Sequence, residues 1–155
     1  MAKNKAQRAI KILKKEYSVY LKTVAQKTQD QVLSNFDNEK DVNGNRFAPL
    51  KDFTRDQREK QGYGRSGPIL KRTNKLRKGL KCVALPSKET IEFRYSVDYA
   101  EYLNDGRDNM DERKIIEMPD NYKIGGSDRE VLYKNFEEKV LSGIADILKE
   151  DWYDK

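Results

Sequence analysis

Residues 5–35 carry the strongest constraint on the fold. Ala6, Ile10, Leu13, Tyr17, Tyr20 or Leu21, Val24, Thr28, Val32 and Phe36 recur at steps of three and four, with no Pro or Gly between them. That spacing predicts one uninterrupted amphipathic helix. Thirty residues of helix extend ~45 Å. A compact domain of 155 residues has a radius of gyration of only ~15 Å. The helix must therefore cross the whole domain, or overhang it and meet a neighbour. Strict heptads do not persist, so the stripe reads as core rather than as a coiled-coil seam.

A second helix closes the chain. Ser127-Asp128-Arg129-Glu130 has capping-box spacing, and Leu132, Phe136, Val140, Ile144 and Leu148 step by four with Ile147 beside them. Gly143 lies mid-helix at a cost of ~1 kcal/mol against Ala, which suggests close packing. Between the two helices lie short β-type runs. Residues 80–85 precede Pro86-Ser87, and Ile91, Phe93, Tyr95 and Val97 alternate with Glu92, Arg94 and Ser96. They predict a hairpin with one buried and one wet face. Residues 114–118 are a third candidate strand. Asp98 caps a short helix, 99–103, stopped by Gly106. The fold class is α+β: a long N-terminal helix and a C-terminal helix packed on a small antiparallel sheet, in one domain, 1–155.

The stretch of about 36–72 is a loop-rich excursion. Asn43-Gly44 supplies the positive φ of a tight turn, and Phe47, Pro49 and Leu50 follow. Thr54-Arg55-Asp56-Gln57 has capping-box spacing for a short helix that cannot pass Gly62. Ile69 and Leu70 read as buried, and Thr73 as the cap of a helical turn through Leu76 to Leu80. Gly62, Gly64 and Gly67 do not form a phosphate cradle, because the G-x-x-x-x-G-K-[ST] pattern is absent and no strand precedes them.

The chain has no His and one Cys, Cys82. That removes the commonest neutral-pH base, the commonest zinc ligand and any internal disulfide. No nucleophile elbow is present. The acidic loop 105–112 does not match EF-hand spacing. Catalysis, a metal and a cofactor are therefore not expected. Neither a signal peptide nor a membrane span is expected, since no apolar run approaches ~20 residues.

Charge is the informative part of the composition. The net charge is +6, but residues 1–35 carry +6, residues 36–97 carry +7 and residues 98–155 carry −7. This gradient suits contact with a polyanion or head-to-tail association of copies. From Lys60 to Lys88 there are nine Lys/Arg and no acid. Arg65, Lys71, Arg72, Lys75, Arg77, Lys78 and Lys81 are the candidate contacts to DNA or a neighbouring subunit. Contacts to DNA would be to phosphates and salt-dependent. Only Tyr63 interleaves the run, which argues against a single-strand stacking platform. The simpler reading of the run is a solvated or subunit-facing basic surface.

The order of motifs resembles the phage virion-morphogenesis or tail-completion proteins. Phe36 to Leu50, with Asn43-Gly44 before Phe47-Ala48-Pro49-Leu50 and Thr54, is similar to their D/N-G-x-x-W/F-x-P-L segment. Ile69-Leu70-Lys71-Arg72-Thr73-Asn74-Lys75-Leu76 resembles their I-L-x-x-T-G-x-L segment, with Asn74 where the family prefers Gly. Tyr99-Ala100 to Gly106 resembles part of a Y-A-x-x-H-x-x-G segment without its His, and Met118-Pro119 is a reduced form of a later proline-and-arginine segment. On this resemblance Phe36, Gly44, Phe47, Pro49, Leu50, Ile69, Leu70, Thr73, Leu76, Tyr99 and Gly106 are structural anchors.

The resemblance implies a non-enzymatic structural protein of the virion tail or neck, assembled from subunits made in the host cytoplasm. It implies a homo-oligomeric ring around the DNA channel that completes the tail and joins it to the head. Its partners would be other neck, connector or tail-tube proteins, with possible non-specific DNA contact in the channel and no membrane. The rival reading is a small basic nucleic-acid-binding module with no virion role.

Overall fold

The computed structural model describes residues 2–71, 73–107, 111–115 and 129–153. The element order is α1 (Ala2–Asp37), α2 (Asp52–Lys60), α3 (Lys75–Gly79), β1 (Lys81–Leu85), a short 3-10 turn (Pro86–Lys88), β2 (Thr90–Arg94), α4 (Tyr99–Asp105) and α5 (Arg129–Tyr153). The two strands pair as one antiparallel hairpin. The fold is α+β, with long helices at the two ends and a small two-stranded sheet. Contacts divide the chain into two compact units. One comprises Met1–Lys27, Val83–Glu92 and Asn121–Lys155; the other comprises Thr28–Cys82 and Phe93–Asp120.

In the first unit, Tyr17, Tyr20, Tyr133 and Phe136 form an aromatic cluster with ring centroids 5.4–6.2 Å apart. Gly143 faces Ile12: a Cβ there would lie 3.0 Å from the Ile12 Cγ2. The expected close approach of Gly143 is thus a contact with the N-terminal helix. The stripe predicted for the start of α1 is displaced by one position. Ala6, Ile10 and Leu13 are exposed, and Ala9 and Ile12 are half-covered instead. On α5, Ile147 is 4% exposed and Leu148 57%. The reason is helical geometry: each four-residue step advances the face by about 40°. By Leu148 the row that starts at Leu132 has turned away from the covered side.

The second unit has its own core: Val32, Phe36, Phe47, Leu76, Leu80, Ala100 and Ile115. Ile69, Leu70, Phe93, Val97 and Leu103 pack against it. Phe36, 1% exposed, meets Phe47 edge-on at 6.4 Å and 80°. The preference of aromatic rings for edge-to-face contact stabilises that pair beyond its area. Between them, Asp41 organises the turn: its Oδ1 accepts from the Asn43 and Asn45 amides at 2.9 and 2.8 Å. Gly44 follows at φ +85°. The bridge Lys40↔Arg46 then returns the chain to the end of α1.

Several local expectations need correction. Helix α2 begins at Asp52 with Lys51 as N-cap, so Thr54 lies inside it and caps nothing. Lys51 has the extended backbone that helix entry needs, and Asp52 sits in the first turn, where the helix dipole favours a carboxylate. Asn74, not Thr73, is the N-cap of α3, in the left-handed conformation at φ 58°. Strand β2 ends at Arg94; Tyr95 and Ser96 are exposed, and residues 90–93 are all half-covered rather than alternating. The described part of the third candidate strand, Lys114 and Ile115, is not a strand, although the Lys114 carbonyl accepts from the Val42 amide. The rest of that candidate, Met118-Pro119 and the Ser127 capping box lie outside the described residues.

Replacing Phe36 by Ala is expected to cost about 3–5 kcal/mol, as for other buried aromatics. Leu148→Ala should change stability by less than about 0.5 kcal/mol. Urea denaturation of both variants beside the parent chain distinguishes this core from the four-step row that the sequence suggests.

Candidate functional site

The basic run is assembled at the end of α1. Asp37, the last residue of that helix, is gripped from two sides. Arg77 on α3 makes a two-pronged contact, Nε to Oδ1 at 2.9 Å and Nη2 to Oδ2 at 2.7 Å. The Lys71 Nζ lies 2.9 Å from Oδ1 and also donates to the Asp37 carbonyl at 3.3 Å, meeting the negative end of the helix dipole. Hydrogen bonds from Arg77, then from Lys71, hold the Asp37 carboxyl well below the usual carboxylate range. The same contact raises Arg77. Arg65 is likewise held, by Asp56, with Glu59 at 3.6 Å and Asp52 at 3.9 Å.

Three of the seven candidate contact cations are therefore neutralised within the chain. Arg72 lies outside the described residues. Lys75, Lys78 and Lys81 are exposed, and no ion pair ties them to a described residue. The anchors divide too. Phe36, Phe47 and Leu76 are buried; Leu50, Ile69 and Leu70 are half-covered; Pro49, Thr73 and Tyr99 are exposed, and Ala100 takes the core position beside Tyr99. Gly106 is the C-cap of α4 at φ 69°, and a Cβ there would lie 2.8 Å from the Glu112 amide nitrogen.

Beside this run is a groove of about 460 Å³ in the second unit. Leu50, Leu70, Leu76 and Leu103 supply apolar wall, and Tyr99 lies at its side. Two arginines line it while almost fully covered: Arg58, 4% exposed, and Arg113, 6% exposed. Arg58 comes from the last turn of α2. Its Nη1 donates to the Pro68 carbonyl at 2.9 Å, and its Nε has no acceptor among the described residues. Arg113 donates to the carbonyls of Asp111 at 3.1 Å and Ala48 at 3.2 Å. Its Nε is also without an acceptor there, and the Asp111 carboxylate stands off at 3.9 Å. Burial lowers the pKa of Arg113, with Asp111 opposing. The loose pair does not offset the desolvation of the guanidinium.

Sequence reading missed both arginines. Arg58 lies in a short, strongly polar helix and reads as solvent-facing. The helix is inverted: it covers Arg58 and leaves Phe53 74% exposed. The signal available was the lone aromatic of Asp52-Phe53-Thr54-Arg55, which has no apolar partner at helical spacing within α2. Gly79 was missed as well. A Cβ on it would lie 1.7 Å from the Ser96 Oγ, so only Gly allows that approach.

Cys82 is half-covered, its amide donating to the Gln29 Oε1 at 2.8 Å. Burial pushes the thiol up to about 11, which makes it a poor nucleophile. Among the described residues no cluster of His, Cys, Asp or Glu is arranged to hold a metal ion, and no helix is long and apolar enough to cross a membrane. No protein-family model, curated protein or solved structure matches the chain.

Two outcomes follow from these environments. Asp37 is depressed, so its bridge contributes fully above about pH 4, the ordinary carboxylate value, and fades as acid protonates it. The bridge is half exposed, so the contribution is small, about 1 kcal/mol at most. Denaturation of Asp37→Asn beside the parent should show that gap at pH 7 and its closure toward pH 2. Cys82 should react with a thiol reagent at pH 8 many-fold more slowly in the folded protein than in urea, followed by absorbance.

Proposed function

We propose that the chain is a non-enzymatic structural protein of a phage virion, in the tail or neck. It completes the tail and joins it to the head as a homo-oligomeric ring around the DNA channel. The observation that carries this reading is the disposal of the basic run. A surface made to track phosphates keeps its cations free. Here Arg65, Lys71 and Arg77 are spent on the chain's own carboxylates, and the adjoining groove joins apolar wall to covered guanidinium groups. That combination suits a protein neighbour, because apolar contact supplies area and the covered charge supplies selectivity.

The resemblance to tail-completion proteins supports the same reading through backbone rather than side chains. Gly44, Asn74 and Gly106 stand at the motif glycine positions, and all three have positive φ. The charge gradient along the chain supplies complementary ends for head-to-tail contacts that close into a ring.

Lys75, Lys78 and Lys81 favour the second reading, a small nucleic-acid-binding module. Three phosphate contacts would give a salt slope of about −3 for duplex DNA. Light scattering behind size-exclusion chromatography, with and without purified tail tubes, tests the first reading. Concentration-dependent assembly or capture on tubes is expected. A strict monomer that ignores tubes, and that binds duplex DNA with a salt slope of about −3 or steeper, would establish the module instead.

A further inference from the structure

The chemistry of the groove defines the ligand it would take. It needs an apolar body for the leucine wall and a carboxylate for cations that the chain leaves underpaired. Arg58, Lys75 and Arg113 line it, and Asp111, its one lining carboxylate, also pairs with Lys51 at 3.7 Å. Arg58 and Arg113, both more than nine-tenths covered, donate to backbone carbonyls, and the Asp111 carboxylate reaches Arg113 only at 3.9 Å. A covered guanidinium without a close carboxylate is costly, so a carboxylate from outside is well recognised there.

The chain presents such a ligand on its own surface. Phe53 is the most exposed large apolar side chain among the described residues, at 74%. Asp52 beside it is 82% exposed, and its ion pairs with Arg55 and Arg65 are loose, 3.7 and 3.9 Å. Both residues open α2 and are exposed. Burial of a Phe ring is favourable, and α2 has no apolar partner of its own to supply it.

We propose that Asp52-Phe53 of one copy docks in this groove of a second copy. The Phe53 ring enters the leucine wall, and the Asp52 carboxylate meets the cationic side formed by Arg58, Arg113 and Lys75. Lys51 and Thr54 on either side of the knob line the groove, but Asp52 and Phe53 do not; knob and groove adjoin without sharing a side chain, so the contact can be heterologous and propagate from copy to copy. This rests on the homo-oligomeric reading above and supplies its contact.

The experiment uses full-length chains and two exposed positions, so that folding is preserved. Phe53→Arg removes the knob and leaves the groove; Lys75→Glu reverses charge in the groove and leaves the knob. Sedimentation velocity of each follows circular dichroism that verifies the fold. Each variant alone should lose at least ~30-fold in apparent association constant, the scale of an interfacial hot spot. A 1:1 mixture should recover one working contact and give a heterodimer that grows no further. Asp52→Asn should weaken assembly less, and flatten its dependence on salt. If the parent chain assembles and Phe53→Arg assembles equally well, this contact is wrong and the oligomeric reading stands. If the mixture stays monomeric while the parent assembles, the knob and the groove are not partners. A parent chain that stays monomeric at every concentration overturns both.

Discussion

The second unit depends on Phe36. It is the last core residue of α1, and the ring is held edge-on by Phe47 across the turn that Asp41 and Gly44 make. Once that pair forms, the chain has reversed direction beside the helix end. Glu39 is then placed so that its backbone carbonyl accepts from Phe47 and its carboxylate from the Ile69 amide at 2.6 Å. Loop closure of this kind costs entropy that only buried contacts offset. The excursion of about 36–72 is therefore ordered from its base, by one aromatic pair and one glutamate.

Asp37 extends the same logic into electrostatics. It follows Phe36 directly, so wherever the ring is buried the carboxylate emerges at the helix end. Lys71 and Arg77 converge on it from later in the chain, and the helix dipole adds to their attraction. The result removes cations from the surface that composition alone assigns to it. A run of nine Lys/Arg without an acid is thus a local statement about sequence. Its partner acids, Asp37, Asp52, Asp56 and Glu59, lie upstream and are invisible to a window drawn around the run.

Helix α2 shows the opposite relation. Its sequence is almost wholly polar, and polarity predicts a solvated helix. Folding instead covers Arg58 under the groove and projects Phe53 outward. A covered guanidinium without a close carboxylate is costly, and an exposed ring is wasted area, so the two departures sit on one element. Departures of this sort concentrate where a structure is organised around a contact rather than around its own stability.

The sequence by itself determined the two long helices, the hairpin, the Asn-Gly turn, the stop at Gly62 and the cap at Gly106. Each of these follows from a period or from a backbone conformation that few residues adopt, and both are local. Tertiary structure decided which faces are covered. The one-position shift of the stripe at Ile10 and Leu13, and the choice of Ile147 over Leu148, follow from helical twist measured against a neighbour that the sequence does not locate. It also decided which cations are free, because ion pairs such as Asp37 with Arg77 join residues forty positions apart. The groove is a tertiary product altogether: its leucines, arginines and Tyr99 come from four separate stretches between Leu50 and Arg113, and only burial against the Phe36 core brings them to one surface.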